Sequence, residues 1–346
     1  MKKLLLPLLT LYFFTPANSQ CIILPNATTG TVSLQCAGGT GNRSGVAYNP
    51  AFSLYYSVNA GSSGYPIETY SSTGGAPVNT IASGFDYRGL WWNPNTSQLV
   101  GNGYNTNGVV SHVLNGSGYA TGVVNTIFTG FSQPSPQSCG TYDYNANELL
   151  YYGNDGIYRY NPTTGAFLSY YPVTGLPVAY TNIDSTNLGY TGCLGEEIVL
   201  YDFVNKAVYF INKANGAHVG TSQLPLTAMG GDRFMFGFAN NMAWVYDQST
   251  SVWQSYEVFQ PTGNFEDHST EMQISVYPNP SSGSFTFKGI ENGTIEIYNT
   301  LGEKIYSLLV ASPGSVVNLS DTPKGIYFWK AVNDTNAQAS GTLLIQ

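Results

Sequence analysis

AYNPAFSLYYSV at residues 47–58, WWNPNTSQLVGN at 91–102 and DYNANELLYYGN at 143–154 are three copies of one pattern. Each runs an aromatic, then Asn, then a turn, then a strand that ends in apolar or aromatic residues. Each is followed by a second hairpin, GYPIETYSSTGGAPVNTI, GVVSHVLNGSGYATGVVNTI and GIYRYNPTTGAFLSYYPV. Two weaker copies follow, one from Gly192 and one from Phe236. A period of about 44–52 residues is that of four-stranded propeller blades. Ile157-Tyr158-Arg159-Tyr160 alternates with the period of two that marks a strand. Asn154-Asp155-Gly156 suits a tight hairpin, and Asn-Pro at 49–50, 93–94 and 161–162 starts turns. The reading is all-β: a five-bladed β-propeller over residues 20–260.

The last unit stops short after Phe259, and the segment between Ile22 and Gly45 is free to supply its missing strand and close the ring. Residues 261–272, with Pro261-Thr262-Gly263-Asn264 and Glu266-Asp267-His268, read as an exposed linker. Ahead of the body, residues 1–19 read as a signal peptide: Lys2 and Lys3, an apolar run from Leu4 to Phe14, and Ala17-Asn18-Ser19 before the cut. That run is too short to span a bilayer, which needs about 20 residues, so no membrane span is expected. Gln20 stands where a lipobox before Cys21 wants Gly or Ala, so export without lipidation is expected.

Charged residues make up 9% of the chain and aromatics 14%, which reads as a folded β protein with an uncharged polar surface rather than a disordered one. Net charge is −8 with 12 Lys plus Arg, so nucleic acid and anionic membrane are poor partners. Four cysteines in an exported chain permit disulfides. Cys21 and Cys36 flank a short loop and are expected to pair, leaving Cys139 and Cys193 to pair or stay free.

Chemistry is thin in the body. It has no G-x-S-x-G elbow, P-loop or H-E-x-x-H, and only His112 and His218. No metal or other cofactor is expected. Asp143-Tyr144-Asn145-Ala146-Asn147 opens like a calcium loop but lacks the Gly at position six and the closing Glu, and reads as a turn. Asp86, Asp143, Glu196 and Asp232, with Arg88 and Arg233 beside them, are the acids that could converge on the axis as they do in propeller glycosidases, which need two carboxyls ~5–9 Å apart. The aromatic pairs Trp91-Trp92, Tyr55-Tyr56, Tyr151-Tyr152 and Tyr170-Tyr171 put one ring on each face of a strand, and Trp91 and Trp92 are the candidate ligand platform. Binding or adhesion toward a glycan or a surface protein is the leading function. A propeller glycosidase is the alternative and a structural surface protein a third. Whether the chain is an enzyme is left open, with binding favoured.

The tail reads ISVYPNPSSGSFTF from Ile274, IEIYNTLGEKIY from Ile295 and KGIYFWKA from Lys324. Its seven strand-like runs fit a small immunoglobulin-like β-sandwich over residues 273–346. Tyr277-Pro278-Asn279-Pro280, Gly302 and Gly325-Ile326-Tyr327 resemble, in order and at the end of the chain, the type A C-terminal sorting domain of Bacteroidetes type IX secretion cargo. That resemblance implies recognition by the secretion machinery and its sortase-like peptidase, passage through the periplasm, removal of the domain, and release or attachment outside the outer membrane. Asp184-Ser185-Thr186 resembles the O-glycosylation motif of the same phylum, with Ser185 the acceptor.

Overall fold

A computed structural model describes residues 21–37, 42–228, 233–261, 274–299, 303–310, 314–333 and 338–346. The signal segment, nearly all of the linker, Asp232 and Gly302 lie outside the described residues. The body is all-β and propeller-like. β1 (Cys21–Gln35) is followed by four meanders. The first is β2 (Arg43–Asn49), β3 (Leu54–Asn59), β4 (Pro66–Ser71) and β5 (Asn79–Ala82). The second is β6 (Tyr87–Asn93), β7 (Gln98–Gly103), β8 (Val109–Leu114) and β9 (Ala120–Phe128). The third is β10 (Thr141–Asp143), β11 (Glu148–Gly153), β12 (Gly156–Tyr160) and β13 (Phe167–Pro172). The fourth is β14 (Leu188–Tyr190), β15 (Ile198–Asp202), β16 (Ala207–Ile211) and β17 (His218–Gln223).

The last three body strands, β18 (Phe236–Ala239), β19 (Met242–Asp247) and β20 (Val252–Pro261), lack a fourth partner of their own. β1 supplies it, antiparallel to β20 with Cys21 opposite Pro261 and Gln35 opposite Val252. The N-terminal segment therefore completes the last sheet, as the truncated final repeat predicts. One parallel bridge, Asn26 to Gln223, also joins β1 to β17.

Apolar clusters fill the gaps between successive sheets. Leu54, Tyr56 and Ile67 meet Leu90, Leu99 and Val110 between the first two. Tyr55 and Val46 meet Trp244 and Trp253 between the last and the first. Burying such side chains is worth ~1.5–3 kcal/mol each, and a sheet with two apolar faces has to be covered on both.

A glycine recurs in the first strand of each sheet or just before it: Gly45, Gly89, Gly140, Gly189 and Gly237, at intervals of about 44–51 residues. The need for it is steric. A Cβ on Gly89 would stand 2.8 Å from the Gly140 nitrogen, and one on Gly237 2.8 Å from the Val46 nitrogen. First strands of neighbouring sheets thus approach backbone to backbone at this level, and β18 approaches β2 as β2 approaches β6.

The expected Cys21–Cys36 bridge is not formed. Cys21 is bonded to Cys193, with Cα atoms 5.8 Å apart. Cys36 and Cys139 are free thiols, so the expected Cys139–Cys193 partnership is also replaced. β1 explains the change. The stretch from Cys21 to Gln35 is one long strand, and at roughly 3.3 Å per residue its two ends lie tens of ångströms apart. A disulfide needs Cα atoms within ~7 Å. The bridge instead ties the start of β1 to the segment between β14 and β15.

His112 on β8 is buried, with Nδ1 3.0 Å from the Tyr87 hydroxyl, and Nε2 accepts the Gly122 N–H at 3.1 Å. That acceptor role puts the single ring proton on Nδ1. Burial lowers the His112 pKa from 6.5 to about 4. The neutral ring is the folded form, so its contribution is intact above pH 6.5 and drains away as pH falls from about 6.5 towards about 4. The expected loss is ~1.4 kcal/mol per pH unit in that window. Urea midpoints measured across this range should fall for the wild type and fall less steeply for His112→Gln.

The tail holds seven strands: β21 (Ser275–Tyr277), β22 (Ser284–Lys288), β23 (Gly293–Tyr298), β24 (Lys304–Val310), β25 (Ser315–Asn318), β26 (Gly325–Asn333) and β27 (Gln338–Ile345). They form two sheets, β21-β22-β25 and β24-β23-β26-β27, around one core that includes Phe285, Phe287, Ile295, Trp329 and Leu343. Asn279 of the Tyr277–Pro280 motif clamps the last strand: its amide donates to the Thr342 carbonyl at 2.7 Å, and its oxygen accepts the Leu344 N–H at 2.9 Å. The Tyr327 hydroxyl donates to the Pro323 carbonyl. Gly325 opens β26.

Candidate functional site

In the first three sheets the turn that ends the first strand is built by an Asx side chain, and in the fourth Thr191 Oγ1 accepts the Cys193 N–H. Asn49 Oδ1 accepts the Ala51 N–H, Asn93 Oδ1 accepts the Asn95 N–H, and Asp143 Oδ1 accepts the N–H groups of Asn145 and Ala146. In the last sheet, Asn240 and Asn241, both at positive φ, make a tight two-residue hairpin instead. These turns carry the residues just before them to one place, a cavity of about 340 Å³ walled by all five first strands.

β2 contributes Ala47 and Tyr48, with Pro50 beyond it; β6 contributes Trp91 and Trp92. β10 brings Thr141 and Tyr142, followed by Tyr144, and β14 brings Tyr190, followed by Thr191. β18 brings Phe238, and its hairpin Asn240 and Asn241. Among the described residues, no Asp, Glu, Lys, Arg or His lines it. Tyr144 and Tyr190 stay neutral: Tyr144 is pushed up to about 12 by burial and then by Asp143, and Tyr190 is raised by the same two causes. Polar groups remain in the wall. Asn240 donates to the Tyr55 hydroxyl at 2.6 Å. The Nε1 of Trp91, a residue 6% exposed, finds no partner among the described residues.

Of the residues singled out from sequence, Trp91 and Trp92 stand in this wall and the acids do not. Asp86 precedes β6, at the opposite end of that strand from the tryptophans, and pairs with Arg88; its Oδ1 also accepts the Gly61 N–H at 2.8 Å. Arg88 lies over the Tyr104 ring at 4.8 Å, so both are structural. Asp143, at the far end of β10 and 1% exposed, is paired with Lys213, which also reaches Glu148 at 3.1 Å. An ammonium therefore answers Asp143 where a calcium loop would place its ion. Glu196 lies in the turn before β15, its pKa raised by desolvation and then by Glu197. Arg233 is 64% exposed and pairs with Asp184 at 3.3 Å. The expected convergence of carboxylates is thus not found among the described acids. Asp86 and Asp143 are each held in an ion pair at opposite ends of a first strand, and Glu196 keeps a buried Oε2 with no partner among the described residues. Among the described residues, no group of three His, Cys, Asp or Glu side chains could hold a metal ion.

The other aromatic pairs divide differently. Tyr55, Tyr56, Tyr151 and Tyr152 are buried in the clusters between sheets, whereas Tyr170 and Tyr171 lie on β13, where Tyr170 is 42% exposed. Ser185 is partly buried just before β14. Sequence reasoning passed over Tyr48, Tyr142, Tyr144, Tyr190 and Phe238 as sites. Their signal was present: each follows a recurrent first-strand glycine by one to four residues.

Residues 275–346 match the family described as the secretion system C-terminal sorting domain. This domain marks the chain as cargo of type IX secretion, exported to the cell surface or secreted. No helix among the described residues is long and apolar enough to cross a membrane. No curated protein matches the chain. Among solved structures, the chain is similar to BamB from Moraxella catarrhalis, with 16% identity and a TM-score of 0.30 over 58% of this chain. It spans 55% of BamB's length. It is also similar to Myxococcus xanthus glutaminyl cyclase, with 11% identity and a TM-score of 0.46 over 69% of this chain and 99% of that one. The third is PorZ of Porphyromonas gingivalis, a surface component of the type IX secretion system, with 11% identity and a TM-score of 0.26 over 86% of this chain and 51% of that one.

Proposed function

We propose that this type IX cargo is a binding or adhesion module: a five-bladed propeller over residues 20–260, joined by a linker at 261–272 to an immunoglobulin-like sorting domain at 273–346. The partner, a glycan or a surface protein, docks in the cavity walled by the five first strands. One observation carries the reading. Among the described residues, the cavity wall is aromatic, with hydroxyl and amide groups but no carboxylate, amine, guanidinium or imidazole. Concave, mainly apolar pockets with a few polar groups are where ligands bind. Glycoside hydrolysis needs two carboxyls across the bond, and this wall supplies none, so the same feature favours binding over turnover. The linker is the place for the sortase-like peptidase to cut, and Ser185 is the place for an O-linked glycan.

The test is an array of glycans and surface proteins probed with the wild type and with Trp92→Ala. Binding lost by at least about tenfold, or ~1.4 kcal/mol, in the variant is the expected result. Equal binding by the two proteins, or turnover of chromogenic glycosides by the wild type, would sink the proposal.

A further inference from the structure

We infer that the cavity recognises the terminal unit of an uncharged saccharide, an inference that rests on the cavity being the docking site. Size gives the first constraint. About 340 Å³ lies near the lower end of the ~300–1,000 Å³ of ligand pockets. Walls on five sides make it a pit rather than a groove open at both ends. A pit takes the end of a chain; an extended peptide needs a groove to lie in or a sheet edge to pair with.

Charge gives the second constraint. A phosphate, sulfate, uronate or ammonium entering this wall would shed its hydration and meet no opposite charge, which is costly. Electrostatic selection against charged ligands is therefore built into the residue types.

The third constraint is the mixture of apolar rings with groups that both donate and accept. Trp92 and Tyr48 offer ring surface, and an aromatic face carries negative charge density that suits the C–H side of a sugar ring. Thr141, Thr191 and the amides of Asn240 and Asn241 stand among those rings. Hydroxyls and amides can each give and take hydrogen bonds, so they match a molecule whose edge is all hydroxyls. Thr191 already donates to the Glu196 carbonyl and Asn240 to the Tyr55 hydroxyl, so a sugar would draw on their remaining capacity and on Thr141 and Asn241.

Titration of the mature protein by tryptophan fluorescence tests this. The probes are neutral hexose and N-acetylhexosamine oligosaccharides, the matching uronate and sulfated oligosaccharides, and an uncharged proline- and glycine-rich peptide. Trp92→Ala and Asn241→Ala are run in parallel, each first shown to melt as the wild type does. The expected result is binding of at least one neutral saccharide that is unchanged by added salt, and weakened at least about tenfold by Trp92→Ala and measurably by Asn241→Ala. Charged saccharides binding as tightly, or affinity that falls with salt, would overturn the inference while leaving the cavity as the site. So would a peptide as the sole ligand with its binding lost in Trp92→Ala. Saccharide binding indifferent to both variants would overturn the cavity reading as well. Silence across the panel overturns the saccharide inference, and the array comparison then decides the cavity reading separately.

Discussion

Replacing Cys21 and Cys193 together by serine should lower the melting temperature of the body by about 10–20 °C. The bridge spans 172 residues of sequence, and in the chain-entropy account a loop of that length stabilises by ~5 kcal/mol. For a domain of this size each kcal/mol moves the midpoint by ~2–4 °C. The location adds to the effect, because β1 is the strand that completes the last sheet through β20. Calorimetry with and without reductant provides the check: reductant should reproduce the double variant in the wild type and do nothing further to the variant. Cys36→Ser should leave the midpoint close to wild type. A large loss in Cys36→Ser, with none in Cys21→Ser/Cys193→Ser, would mean that the short-loop pairing read from sequence is the real one.

The second large effect is expected at Glu68. Its Oε2 takes the Arg43 guanidinium at 2.6 Å and the Tyr70 hydroxyl at 2.6 Å, and its Oε1 accepts the Ala37 N–H at 2.9 Å. Arg43 is 1% exposed and Glu68 fully buried. Glu68→Gln keeps one acceptor oxygen, enough for the Tyr70 or the Ala37 donor but not both, and removes the charge that answers the guanidinium. Breaking a buried pair this way costs ~3–5 kcal/mol, because one ion stays buried and uncompensated. Arg43→Met added to Glu68→Gln removes that ion and should recover at least about half of the loss. Urea unfolding of the wild type and the two variants measures both numbers. If the double variant is as unstable as the single, desolvated charge is not the cause.

The architecture was legible because strand period and turn chemistry are local. Tyr48-Asn49, Trp92-Asn93 and Tyr142-Asp143 each announce a first strand and its Asx turn, and the tail's seven strands follow from runs such as Ser284–Lys288 and Gly325–Asn333. The shortfall after Phe259 even pointed to the segment that fills it. The site was legible only in part. A ring of sheets gathers residues some 44–51 positions apart, and which of two adjacent aromatics faces the axis depends on a register that composition does not set. The recurrent glycines bear on it, since Gly45, Gly89 and Gly237 stand where the backbones of neighbouring first strands come close. The acids misled for a related reason. Asp86 and Asp143 both border first strands, but at opposite ends; Asp86 is paired with nearby Arg88, and Asp143 with Lys213, distant in sequence. Cysteine pairing failed similarly: the fourteen residues between Cys21 and Cys36 look like a loop until they are seen to belong to one extended strand.

Hydrogen exchange with and without the bound partner tests the central claim most directly. Docking in the cavity predicts slowed exchange in five separated stretches, around Tyr48, Trp92, Tyr144, Thr191 and Asn240, with the outer strands β5, β9, β13 and β17 unchanged. Protection confined to those outer strands or to the tail, with the five stretches untouched, would contradict it.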